Sequence, residues 1–172
     1  MADHELVDIT IGFLRDNWGY GASPYGYGSY GSVPQPVIID RDDAESQDFL
    51  GRKVQWDLAD DNAISVSASP DRVTEPMGTG YNYKVEDGVN IRIEAAHEDH
   101  WGHVADADEF EALVGTAEAA ILVEREFPYP NPDGKAHYHT LVTRNATNRS
   151  SDEKDYFRYD FDVFFRGYEE LP

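Results

Sequence analysis

YNYKVEDGVNIRIEAAH, residues 81 to 97, decides the fold. Val89, Ile91, Ile93 and Ala95 alternate with Asn90, Arg92 and Glu94, the period-two pattern of a strand with one buried face. Upstream, Tyr81 to Val85 has strand character as well. Asp87-Gly88 between them is a strong two-residue turn signal, because glycine reaches the positive φ that tight hairpin turns demand. The stretch therefore predicts a β-hairpin, with arms 81–85 and 89–96.

Outward from it the elements fall in a definite order. Residues 5–18 form an amphipathic helix with two adjacent apolar stripes, Leu6, Ile9, Thr10 and Phe13 beside Val7, Ile11, Leu14 and Trp18. Pro36 to Ile39 and Val54 to Trp56 are short strands, and Ile64, Val66 and Ala68 alternate with serines. After the hairpin, residues 107 to 126 form a second helix with the stripe Phe110, Leu113, Val114, Ala117 and Ile121, capped by Asp106 or Asp108 and ended by Phe127-Pro128. Asn131-Pro132-Asp133-Gly134 is a turn, residues 136–145 a strand, and 146–155 a polar hairpin loop. The closing strand carries Phe157, Tyr159, Phe161, Val163 and Phe165 on one face, against Arg158, Asp160 and Asp162. The whole predicts one α+β domain over residues 1–172, a mainly antiparallel sheet with the N-terminal helix and one long helix packed on one face.

The chain of 172 residues holds 34 Asp plus Glu against 14 Lys plus Arg, a formal net charge of −20. With 40% of residues apolar, this is a folded core in an anionic shell, unsuited to gripping nucleic-acid phosphates. The acids are dispersed along the chain. That fits adaptation to concentrated salt, where the Debye length falls to about 3 Å at 1 M. Acidic partner surfaces and DNA mimics usually show their charge in blocks. No cysteine is present, which excludes disulfides and thiolate chemistry. No apolar run approaches the ~20 residues of a membrane span.

Several motifs invite chemistry. Gly26, Gly28 and Gly31 match the dinucleotide fingerprint G-x-G-x-x-G. Yet Pro34 and Pro36 stand where a phosphate-binding helix must begin, and no buried strand precedes them. HEDHWGH, residues 97–103, spaces His97, His100 and His103 three apart, with His137 and His139 on a later strand that could approach. The spacing suits neither a helical i, i+4 metal pair nor a strand i, i+2 pair. Asp40 to Glu45 begins like a calcium loop but lacks the glycine at its sixth position, and Asp57 to Asp61 fails likewise. Asp160 and Asp162 share a strand face, the pattern of a solvated sheet surface more than of an acid–base pair. No catalytic, cofactor-binding or metal-ligating residue is predicted. Residues 19–36, rich in Tyr, Gly and Pro, offer Tyr20, Tyr25, Tyr27 and Tyr30 as partner-binding residues, since tyrosine gives large contact area at low entropic cost.

With its elements in this order, the chain resembles the tail terminator (tail completion) proteins of long-tailed viruses. The resemblance is carried by the helix ELVDITIGFLRDNW, the Pro/Gly-rich loop, YNYKVEDGVNIRIEAAH, the helix DADEFEALVGTAEAAILVEREF and the strand YFRYDFDVFF. It implies a structural, non-enzymatic virion subunit without cofactor. Such a subunit closes into a homo-oligomeric ring, usually a hexamer, between tail tube protein and head–tail connector protein. DNA passes through the lumen without specific binding, and no membrane is involved. Acidic composition suggests a virus of halophilic archaea. Two other expectations stay open: another head–tail adaptor or baseplate subunit, and a metal-dependent hydrolase built on the 97–103 histidine loop.

Overall fold

The computed structural model describes residues 2–19, 33–41, 61–69, 73–76, 82–100, 102–125, 129–130, 136–150 and 156–170. Helix α1 (Ala2–Asp16) is followed by strands β1 (Val37–Asp40), β2 (Ala63–Ala68), β3 (Val73–Pro76) and β4 (Asn82–Ala96). Then come a short 3-10 turn at Glu98–His100, helix α2 (Ala107–Leu122), and strands β5 (Tyr129–Pro130), β6 (Ala136–Asn148) and β7 (Tyr156–Glu170). The strands form one seven-stranded sheet in the order β1-β2-β4-β7-β6-β5, with β3 pairing to β4 beside β2. Among these strands only β1 and β2 pair in parallel; the other pairs are antiparallel. The expected α+β class holds, with the two described helices on one face.

The hairpin at Asp87-Gly88 does not form. β4 is a single strand of 15 residues that passes straight through both residues, pairing Asp87 with Phe165 and Gly88 with Phe164. Each turn-like residue has a tertiary use instead. Asp87 falls on the same face as Val85, Val89, Ile91 and Ile93 and is 3% exposed; its Oδ2 accepts a hydrogen bond from the Tyr138 hydroxyl at 2.5 Å. Gly88 lies under the Phe164 ring, where a Cβ would come within 2.8 Å of Cε1. Local turn preference is weak beside such packing. The strand that precedes β4 and pairs antiparallel with its first residues is β3, and residues 77–81 between the two lie outside the described residues.

The core lies between the helices and the sheet. From α1, Leu6, Val7, Ile11 and Leu14 are buried, and Thr10 joins them by donating its hydroxyl to the Leu6 carbonyl at 2.7 Å. From α2, Phe110, Leu113, Val114, Ala117 and Ile121 are buried as the stripe predicted. They meet Ile64, Val66, Ile91, Ile93, Phe161, Val163 and Phe165 from the sheet, each large side chain worth about 1.5–3 kcal/mol when fully buried. Asp106 caps α2, its Oδ1 accepting from the Glu109 N–H at 2.9 Å, while Glu109 reaches back to the Ala105 N–H at 2.8 Å.

The ends of α2 and β6 differ from expectation. α2 ends at Leu122 rather than Glu126, passing into turns at 123–125. β6 continues to Asn148, into the expected polar loop. It does so by shifting register between Arg144 and Thr147, with Asn145 at φ 59°. Asn145 holds that conformation while its amide donates to Asp162. Val54 to Trp56, the turn at 131–134 and Phe127-Pro128 lie outside the described residues.

Candidate functional site

Every second residue of β4 and β7 points away from the helices, and the register stacks these residues into cross-strand ladders. Asp160 is 8% exposed and receives three guanidinium groups: Arg92 from β4 at 3.2 Å, Arg158 from its own strand at 3.1 Å and Arg149 from beyond β6 at 3.3 Å. Glu86 is gripped by Arg144 at 2.8 Å and Arg166 at 2.7 Å, and the Arg144 guanidinium also lies 5.2 Å over the Phe164 ring. Asp162 accepts 2.8 Å bonds from the amides of Asn90 and Asn145.

Arg41, immediately after β1, lies across the sheet. It donates to Ser65 Oγ at 3.0 Å, to Ser67 Oγ at 2.9 Å and to Asn90 Oδ1 at 2.8 Å. Tyr156 donates its hydroxyl to Glu94. Burial raises the Tyr156 phenol well above its ordinary value of 10.0, helped by that bond and by the Glu94 charge, and opposed by Arg158 and Arg92.

The face is outward, as the alternation predicts, but Asp160 and Glu86 on it are sunk beneath their arginines. Asp160 and Asp162 stand on one strand face, as the sequence spacing requires, and each is engaged by its own partners, Asp160 by arginines and Asp162 by amides. Nothing in the sequence singles out Arg41, Arg144 or Arg149. Alternation marks which residues share a face, but only the register across strands shows that three arginines converge on one carboxylate.

The histidine loop is a closed structure. Gly102 N–H donates to the His97 carbonyl at 3.0 Å, Glu98 N–H to Val104 at 2.9 Å and Val104 N–H to Ala96 at 3.3 Å. A Cβ on Gly102 would stand 1.9 Å from the Ala96 carbonyl oxygen, so only glycine fits this approach. His97 stacks on Phe157 with centroids 6.3 Å apart, and its Nδ1 accepts from the Asp99 N–H at 3.0 Å. The sheet register keeps the two histidine groups apart. His137 pairs with Tyr168, opposite the start of β4, whereas His97 follows its end. At ~3.3 Å per residue they stand on the order of 40 Å apart along the sheet. His137 and His139 do not approach HEDHWGH, and no cluster of three or more metal-type ligands occurs among the described residues.

Tyr20, Tyr25, Tyr27 and Tyr30 lie outside the described residues. The flanks of their tract are described: the Trp18 indole N–H donates to the Val33 carbonyl at 3.0 Å, tying together two points 15 residues apart. Residues 40–45 and 57–61, the two acidic stretches compared with calcium loops, fall largely outside as well. No helix among the described residues is long and apolar enough to cross a membrane.

No protein-family model and no curated protein matches the chain. Among solved structures it is similar to a chain described as "Virion of native gene transfer agent (GTA) particle", with a TM-score of 0.45 and 14% identity, covering 92% of this chain and 91% of that chain. A likeness of this degree assigns no function.

Proposed function

We propose that the chain is a structural virion subunit, a tail terminator that closes into a ring, of six copies, between the tail tube and the head–tail connector. The observation that carries the reading is the one-sided fold. The two described helices cover one face of the sheet, and the other face is a ladder of paired charges, a surface that suits a neighbour better than a reaction. The element order supports it, as does the composition of the tract holding Tyr20, Tyr25, Tyr27 and Tyr30, whose described flanks are held together by the Trp18–Val33 bond. The net charge of −20 suits a channel through which a phosphate backbone slides without sticking.

Like-charged subunits associate only when their repulsion is screened, so the ring forms in molar salt and falls apart in dilute buffer. Light scattering over a salt series with negative-stain imaging at its upper end tests this. Closed rings in concentrated salt are the expected result, and a monomer there overturns it. The wealth of acid fits a virus of a salt-accumulating archaeal host. An adaptor or baseplate subunit is the neighbouring reading, and imaging of assembled particles, with the ring found at the neck or at the tail tip, separates the two.

A further inference from the structure

We propose that the arginine-covered face of the sheet is the seat for the helical layer of a second copy of this chain, in a head-to-tail contact. The inference rests on the ring reading above and adds which two surfaces meet.

The chain has only ten arginines, and Arg92, Arg144, Arg149, Arg158 and Arg166 stand together on this one face. The most exposed charge a neighbour meets there is guanidinium. The two carboxylates these arginines grip lie beneath them, with side-chain exposures of 11% for Asp160 and 12% for Glu86, against 43% for Arg144 and 59% for Arg149, while Glu94 and Asp162 on the same face are half-buried. A guanidinium has five N–H donors in a planar fork, more than the carboxylate below it can accept, and the outward edge fits a second carboxylate bidentately.

The opposite side of the same domain is acidic. Asp8 and Asp16 on α1 and Asp108 and Glu111 on α2 are exposed, with Arg15 and Arg125 as the exposed described cations of that layer. Pairing the arginine face with itself across a two-fold axis would set guanidinium against guanidinium. Placing it on the next copy's helices sets opposite charges together. Such a heterologous contact generates a ring when its rotation closes. Salt discriminates in its favour: at ~1 M the repulsion between whole anionic bodies is cut off beyond about 3 Å, while desolvated pairs in direct contact are screened much less.

The test is analytical ultracentrifugation of the full chain in molar salt, comparing wild type with R144E/R149E, two exposed positions whose exchange leaves Glu86 paired with Arg166 and Asp160 paired with Arg92 and Arg158. Wild type is expected to assemble and R144E/R149E to remain monomeric with an unchanged far-ultraviolet circular dichroism spectrum. Adding a D108R/E111R chain to it should restore a complex containing both. The milder R144A/R149A, which keeps the proposal testable if charge reversal impairs folding, should weaken association ~10-fold or more.

If R144E/R149E is folded and assembles like wild type, this inference fails while the ring reading stands. If wild type is monomeric at every salt concentration, both fail. A short DNA duplex bound by wild type and released by R144E/R149E, with assembly of the two proteins equal, would assign the face to phosphates and overturn the inference.

Discussion

A methyl group added at Gly88 would lie 2.8 Å from Cε1 and 3.1 Å from Cδ1 of Phe164, a ring that is itself only 6% exposed. In an ordinary strand the change to alanine helps, because glycine loses more backbone freedom on folding. Here the ring must move, so Gly88→Ala should destabilise the protein by about 1–3 kcal/mol in urea unfolding. Gly12, inside α1 with nothing within 4 Å of the place a Cβ would take, is the opposite case, and Gly12→Ala should stabilise by about 0.5–1 kcal/mol in the same assay. Glu118 on α2 offers a pH test. Burial raises its carboxyl above the ordinary 4.5, and its charge in turn helps raise the partly buried Tyr159 hydroxyl. A raised carboxyl favours the folded state while protonated, and that benefit is lost as pH rises from 4.5 through the folded-state value. Glu118→Gln should therefore melt higher than wild type at neutral pH, with the difference vanishing below pH 4.5.

At the scale of elements, β4 organises the sheet, bonded along one edge to β7 and along the other to β2 and β3. Amides Val89 to Glu94 should be among the slowest to exchange with solvent deuterium, at rates near global unfolding, and those of residues 145–148, around the register shift, much faster. Rapid exchange at 86–89 would indicate a turn there and contradict the continuous strand. The sequence made both helices, the core stripe of α2 and the inward face of β7 legible, since each depends on periodicity alone. It put a turn inside β4 because Asp87 and Gly88 carry a turn's chemistry while serving Tyr138 and Phe164, residues more than fifty positions away. The arginine face was hidden for the same reason: Arg92, Arg149 and Arg158 are scattered in sequence and meet at Asp160 only through strand pairing.

Over the whole molecule, 34 acidic residues against 14 basic ones make self-repulsion a standing cost of the compact state. That cost shrinks as ions screen it, so the melting midpoint should climb steadily as potassium chloride is raised from dilute to molar; a midpoint indifferent to salt would contradict the screening account. Among the described residues exposed guanidinium gathers on the sheet and exposed carboxylate outnumbers it on the helices, which gives the domain a polarity that a uniformly acidic shell would lack. The register of β7 has a mechanical meaning besides. Its residues are laced to β4 from Asn82–Glu170 to Ala96–Tyr156, and to β6 on the other edge. A tug along that strand strains all of these rungs together in shear, where a strand pulled from its end at right angles would peel rung by rung, so this arrangement bears tension along its length far better than across it.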